Sequence, residues 1–106
     1  MPIRQKKPQP GRPEGSRSFD APSAQAFGEV VREARVAIGL SQDALAHSAD
    51  LDRTFLSKIE RGLNQPTLFA ILKIAGALGF KASTLLMSVQ RRLDSASAAE
   101  RPKPTK

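Results

Sequence analysis

Between Gly39 and Gly62 the chain reads GLSQDALAHSADLDRTFLSKIERG, a segment with room for two short helices, a tight turn and little else. Ser41 precedes Gln42-Asp43-Ala44-Leu45-Ala46, so its hydroxyl can accept a hydrogen bond from the unpaired backbone N–H groups of a new helix. Asp43, in the first turn, suits the positive end of the helix dipole. The pattern predicts a helix over Gln42–Ser48. Asp52 is a second capping residue, ahead of Arg53-Thr54-Phe55-Leu56-Ser57-Lys58-Ile59-Glu60-Arg61, and Gly62 supplies the left-handed residue that ends helices. A second helix is therefore predicted over Arg53–Arg61.

In this second helix Leu56 and Ile59, spaced i, i+3, should face the core, with Phe55 at the margin of the stripe. The other side presents Arg53, Thr54, Ser57 and Lys58, which are donors or small polar groups with no acid among them. A helix face of that chemistry can approach phosphates and the base edges of a major groove. Two such helices joined by a turn make the geometry of a DNA-binding helix-turn-helix.

From about Phe27 in FGEVVREARVAIGLSQ, through PTLFAILKIAGALG, to Leu86, the chain resembles the lambda-repressor/Cro, or xenobiotic-response-element, family of helix-turn-helix proteins. The resemblance covers well over half the chain, with several motif elements in order and at the right spacing. It implies that Arg53, Thr54 and Lys58 reach base edges. It further implies that Gln42, Ser57, Asn64 and Gln65 hold the DNA backbone, Gln42 also bracing the start of the recognition helix. Arg35 and the Glu60 of IERG match a pair often joined as a structural salt bridge inside the fold. The family also implies a homodimer on a partly palindromic operator, with helix three in the major groove and helix two across the backbone.

Three positions depart from the family pattern. Asp50 stands where many relatives have glycine in the turn, and aspartate tolerates a left-handed backbone better than most residues. Ala44 replaces the glutamate that often completes a capping box with the serine three positions earlier, which weakens that helix start. Lys81 occupies the usual Ser or Thr cap before the last helix, making Ser83 the substitute.

The flanking sequence predicts the remaining helices. Ser23 precedes Phe27, Val30, Val31, Ala34 and Ile38, which recur at helical spacing up to Gly39. Leu68, Ile71, Leu72, Ala75 and Leu78 repeat the period between Thr67 and Gly79, and Leu85, Leu86, Val89 and Leu93 mark a fifth helix. No useful stretch alternates with period two, so no sheet is predicted. The expected fold is all-α: a compact five-helix, lambda-repressor-like domain over residues 23–93. Residues 1–22, rich in Pro, Gly, Gln and Arg, should form a disordered basic arm, and residues 94–106, rich in Ala, Ser, Pro and Lys, a disordered tail. Helix five, with Leu85, Leu86, Met87, Val89 and Leu93, offers more apolar area than a small core needs and is the candidate dimer interface.

Composition narrows the function. The formal net charge is +7, with Arg4, Lys6, Lys7, Arg12 and Arg17 set against Glu14 and Asp20 in the arm, and a protein so charged favours polyanions. Gly11-Arg12-Pro13 matches the core of an AT-hook, although Glu14 follows where a basic residue belongs; a looser role for the arm is a minor-groove or phosphate contact. The chain has no cysteine, which excludes disulfides and thiolate metal sites. His47, its one histidine, lies i+4 from Asp43 and reads as a solvated or phosphate-facing residue. No Ser/His/Asp set, phosphate-cradling glycine loop or metal-ligand cluster can be assembled, so neither catalysis nor a cofactor is expected. Apolar runs fall far short of a membrane span, and the N-terminus lacks the apolar region of a secretory signal. Together with the family resemblance, these features lead to the expectation of a soluble, cytoplasmic, nucleoid-associated prokaryotic regulator that binds double-stranded DNA as a homodimer and acts as a repressor or controller protein. The alternative is an antitoxin or adaptor whose helix-turn-helix is a scaffold for a protein partner.

Overall fold

Five α-helices follow one another through residues 19–100, the part of the chain that the computed structural model describes, with no strand among those residues. They are α1 (Ala21–Ala37), α2 (Gln42–Ala49), α3 (Arg53–Glu60), α4 (Leu68–Leu78) and α5 (Ala82–Glu100). The Gly11-Arg12-Pro13 triplet lies outside the described residues.

The caps explain most of the boundaries. Ser41 Oγ accepts from Ala44 N at 3.0 Å, and Thr67 Oγ1 accepts from Ala70 N at 3.1 Å. Helix α1 begins at Ala21, ahead of the Ser23 boundary and inside the stretch assigned to the arm. The cap is Asp20, whose Oδ2 accepts from Ser23 N at 2.9 Å, and Pro22 falls in the first turn, where a missing N–H is harmless. Asp52 has the extended backbone of a cap, but its side chain makes no capping bond. Ser83 does not cap α5 either: the helix starts one residue before it, and the Lys81 carbonyl accepts from Leu85 N at 3.1 Å. At the other end α5 continues through Ser95 to Glu100, past the point where composition suggested a tail, because Ala-rich sequence carries high helix propensity.

The core joins all five helices, and Val31, Leu45, Leu56, Ile59 and Ile74 are its largest fully buried side chains. α1 lies against α3 and α5, and α2 packs on α3 and α4. The close approach of α1 to α3 depends on Gly28. A β-carbon there would collide with the main-chain oxygens of Ile59 and Glu60, so the C-terminal turn of the candidate recognition helix rests directly on the α1 backbone. Arg92 on α5 holds α1 from the opposite side, through Glu29 at 3.0 Å and Glu33 at 2.6 Å. These bonds raise the Arg92 pKa, Glu33 most of all.

Two apolar stripes differ from their periodicity. Ile38 is exposed at the end of α1, where it is the C-cap residue just beyond Ala37. In α4 the buried face is Ala70, Ile74, Ala75 and Leu78, while Leu68 and Leu72 point outward with Phe69. The segment LFAILKIAGAL is apolar around most of its circumference, so periodicity alone does not choose a face; the small Ala70 gives the closer packing surface.

Candidate nucleic-acid interface

The turn between α2 and α3 sets the position of the exposed helix. Asp50 adopts the left-handed conformation, φ 57° and ψ 51°, as the C-cap of α2, and it is the one non-glycine residue among those described with positive φ. Lys73 on α4 fixes this turn from outside the motif. Its Nζ donates to the Asp50 carbonyl at 3.2 Å, lies 3.8 Å from the Asp50 carboxylate and sits 4.4 Å above the centre of the Phe69 ring. A cation at the last carbonyl of a helix also answers the negative end of its dipole.

Helix α3 then divides cleanly. At about 100° per residue, Arg53, Ser57, Thr54 and Lys58 occupy one arc of about 140°, and Phe55, Ile59, Leu56 and Glu60 the opposite one. Arg53, Thr54 and Lys58 are exposed and Ser57 is half-buried, whereas Leu56, Ile59 and Glu60 are buried and Phe55 packs at the edge of the core. Burial of one arc therefore aims the other outward. Arg61 follows the helix, with its Nε 3.4 Å from the Ser57 carbonyl oxygen, and remains exposed.

The buried end of α3 is held by a network centred on Glu60. Arg35 Nε donates to Glu60 Oε2 at 2.7 Å and Arg35 Nη2 to Oε1 at 3.0 Å, while Nη1 donates to the Leu40 carbonyl at 2.8 Å. The side chains are 12% and 2% exposed, so this bidentate pair ties α1, the α1–α2 loop and α3 together away from water. The Glu60 hydrogen bond raises the Arg35 pKa against the opposing effect of burial.

The glutamines differ from the simple picture of phosphate contacts. Gln42 Nε2 donates to Glu60 Oε1 at 2.9 Å, extending the buried network to the first residue of α2, and its side chain is half-buried. Gln65 is turned toward the start of α1, where its Oε1 accepts from Asp20 N at 2.7 Å and its Nε2 donates to Ser23 Oγ at 3.2 Å. Both polar ends of Gln65 thus serve the fold, by clamping the loop after α3 to the α1 N-terminus. The neighbouring Asn64 is half-buried.

One polar contact on the exposed face is not evident from spacing. Arg53 Nε lies 3.2 Å from Asp43 Oδ1, linking the first residue of α3 to the first turn of α2. The sequence gives Asp43 only a helix-dipole role; the turn brings it beside Arg53.

The apolar residues of α5 divide between core and surface. Leu85 and Val89 are 2% and 7% exposed and belong to the monomer core, and Leu93 packs against it. α1 and α4 already cover these residues within the monomer. Exposed apolar side chains cluster on one face of α4, where Leu68 and Phe69 are about two-thirds exposed and Leu72 half exposed; Leu86 and Met87 are exposed on α5.

The helix-turn-helix family model matches residues 31–85, just over half the chain and the whole of α2, α3 and α4. The chain belongs to the helix-turn-helix family. Its sequence is 44% identical over 61 residues to the control protein C.BamHI of Bacillus amyloliquefaciens, across 57% of this chain and 75% of that protein. Among solved structures it is similar to the restriction-modification controller protein C.AhdI from Aeromonas hydrophila, with a TM-score of 0.57 and 42% identity over 58% of this chain and 94% of that one. The fold is also that of the controller protein C.Esp1396I, solved as a tetramer with its natural 35 base-pair operator. That likeness has a TM-score of 0.63 and 24% identity over 67% of this chain and 93% of that chain.

Proposed function

We propose that the chain is a sequence-specific, double-stranded DNA-binding transcriptional regulator of the controller or repressor kind, with α3 in the major groove and α2 across the backbone. The observation that carries this reading is the division of α3. Arg53, Thr54, Ser57 and Lys58 form an outward arc without an acidic side chain, on a helix whose other arc is buried and whose end is bonded to Arg35. The similarity to C.BamHI and C.AhdI places the same motif in control proteins.

In this reading Arg53, Thr54 and Lys58 meet base edges, and Ser57 and Asn64 meet phosphates. Gln42 braces α2 against the Glu60 network and presents the rest of its amide to the backbone. Gln65 acts by clamping the loop that carries Asn64. One such unit reads few base pairs, so the regulator works as a homodimer on half-sites about one helical turn apart. The dimer surface is the α4 face of Leu68, Phe69 and Leu72. No catalytic step and no cofactor enter the mechanism, and the site of action is the cytoplasm, at the nucleoid. Among the described residues no single helix is long and apolar enough to cross a membrane.

The test compares duplex from the region upstream of its own gene with a scrambled duplex of equal length, at two salt concentrations. Tight, selective binding that weakens with salt is expected, since each neutralised phosphate releases counterions. Equal, weak binding to both duplexes would overturn the regulator reading, and a monomer with the α4 face uncovered would favour a protein partner.

A further inference from the structure

We propose that Asp43 and Arg53 form a single reading unit, in which the Asp43 carboxylate orients the Arg53 guanidinium so that its Nη1/Nη2 fork meets a guanine. The inference rests on the reading of α3 as the recognition helix and names the base that one position of that helix selects.

Arg53 opens α3, where the N-terminal residues of a recognition helix reach base edges. Its side chain is 62% exposed, and that of Asp43 79%. Surface ion pairs of this exposure contribute little to folding stability, so the contact has small structural worth of its own. It has a geometric effect all the same. Asp43 Oδ1 lies 3.2 Å from Nε, on one side of the guanidinium. The terminal fork is left available, and two parallel N–H donors match the N7 and O6 acceptors that guanine presents in the major groove. The contact biases a long, otherwise mobile arginine toward one orientation before DNA arrives, which reduces the ordering required on binding.

The alternative role for Asp43 has the opposite sign. An acid on the helix that crosses the DNA backbone repels phosphates, and on electrostatics alone its removal strengthens binding to every sequence. An orienting Asp43 predicts lost discrimination instead. The two effects separate because repulsion acts on all duplexes alike, whereas orientation acts at one base pair.

The experiment selects bound duplexes from a randomised library with the full chain, its Asp43→Ala and Arg53→Ala variants, and the double variant. The parent is expected to enrich a guanine at one position in each half-site. A bidentate arginine–guanine contact corresponds to about ten- to a hundredfold preference. Arg53→Ala abolishes that preference and leaves the others. Asp43→Ala lowers it about five- to tenfold even if overall affinity rises, and has no effect on it in the Arg53→Ala background. Relative enrichment at one position does not depend on the fraction of active protein, and circular dichroism of each variant checks that the overall helix content is kept. An unchanged guanine preference in Asp43→Ala would overturn the proposal while leaving Arg53 as a reader. Absence of any enriched sequence with the parent would instead sink the DNA-reading assignment itself.

Discussion

Replacing Arg35 by methionine should cost about 3 to 5 kcal/mol of folding stability, the range for breaking a buried ion pair from one side. Three donors reach the Glu60 carboxylate: Arg35 Nε, Arg35 Nη2 and Gln42 Nε2. Arg35→Met removes two of them, leaves a 2% exposed carboxylate with Gln42 alone, and takes the Nη1 donor from the Leu40 carbonyl. Glu60→Met should be milder by about 1 kcal/mol, roughly one hydrogen bond, because the guanidinium keeps Leu40 and has more access to water. The double variant replaces both charges with apolar groups and should lose about 2 kcal/mol or less, giving a large coupling in the double-mutant cycle. Such losses are severe for a domain this small, since stability runs at about 0.05 to 0.15 kcal/mol per residue. Urea titrations followed by helical circular dichroism, with slopes compared across the four proteins, provide the measurement. If each single change costs under about 1 kcal/mol and the double equals their sum, the pair behaves as an exposed one and its structural role is refuted. No pH dependence should come from Arg35. Its raised pKa means that its contribution is complete below the unfolded-state value and is lost only in strong alkali.

Three further outcomes are expected. Gly28→Ala should destabilise by about 2 kcal/mol despite the better helix propensity of alanine, because the colliding atoms are backbone oxygens of α3 that cannot rotate away; thermal unfolding at or above the parent midpoint would show that α1 can shift. Leu68→Lys with Leu72→Lys should weaken self-association at least about tenfold in sedimentation equilibrium, while surface changes of this kind leave folding within about 0.5 kcal/mol; an unchanged dimer would move the interface away from α4. The Asp20 carboxyl is held below the usual range by its hydrogen bonds from Ser23, so its stabilising effect is present above its unfolded-state pKa and fades as pH falls through the folded value. Asp20→Asn should therefore flatten the acid limb of a melting-temperature profile below about pH 4, and superimposable profiles would argue against the cap.

Local chemistry explains why some of this was legible from residues alone. Ser41 is a cap that needs only its own following turn, and Asp50 takes the left-handed conformation that a helix end demands of a short polar residue. Leu56 and Ile59 face inward, with Phe55 at the margin, because these three are the apolar residues of an otherwise polar helix. α4 gave no such guidance. With apolar residues on most of its surface, either face satisfied the period, and Leu68 and Leu72 proved to be outside. On helix five, for a related reason, the sequence does not separate Leu85 and Val89 from Leu86 and Met87: apolar area in excess of a core and apolar area within it look the same in a sequence.

Five helices, the Ser41 cap, the left-handed turn and the polar arc of α3 were all readable from residues alone, because they follow from interactions within a few residues of each other. The packed molecule was needed to show which side of α4 is buried, that Leu85 and Val89 are already covered, that Gln65 ties a loop to the α1 N-terminus, that Gly28 is pressed against α3 and that Asp43 meets Arg53. Each of these is a contact between segments distant in the chain. Hydrophobic periodicity specifies which residues share a helix face; the neighbour that face meets is chosen by the packing of all five helices at once.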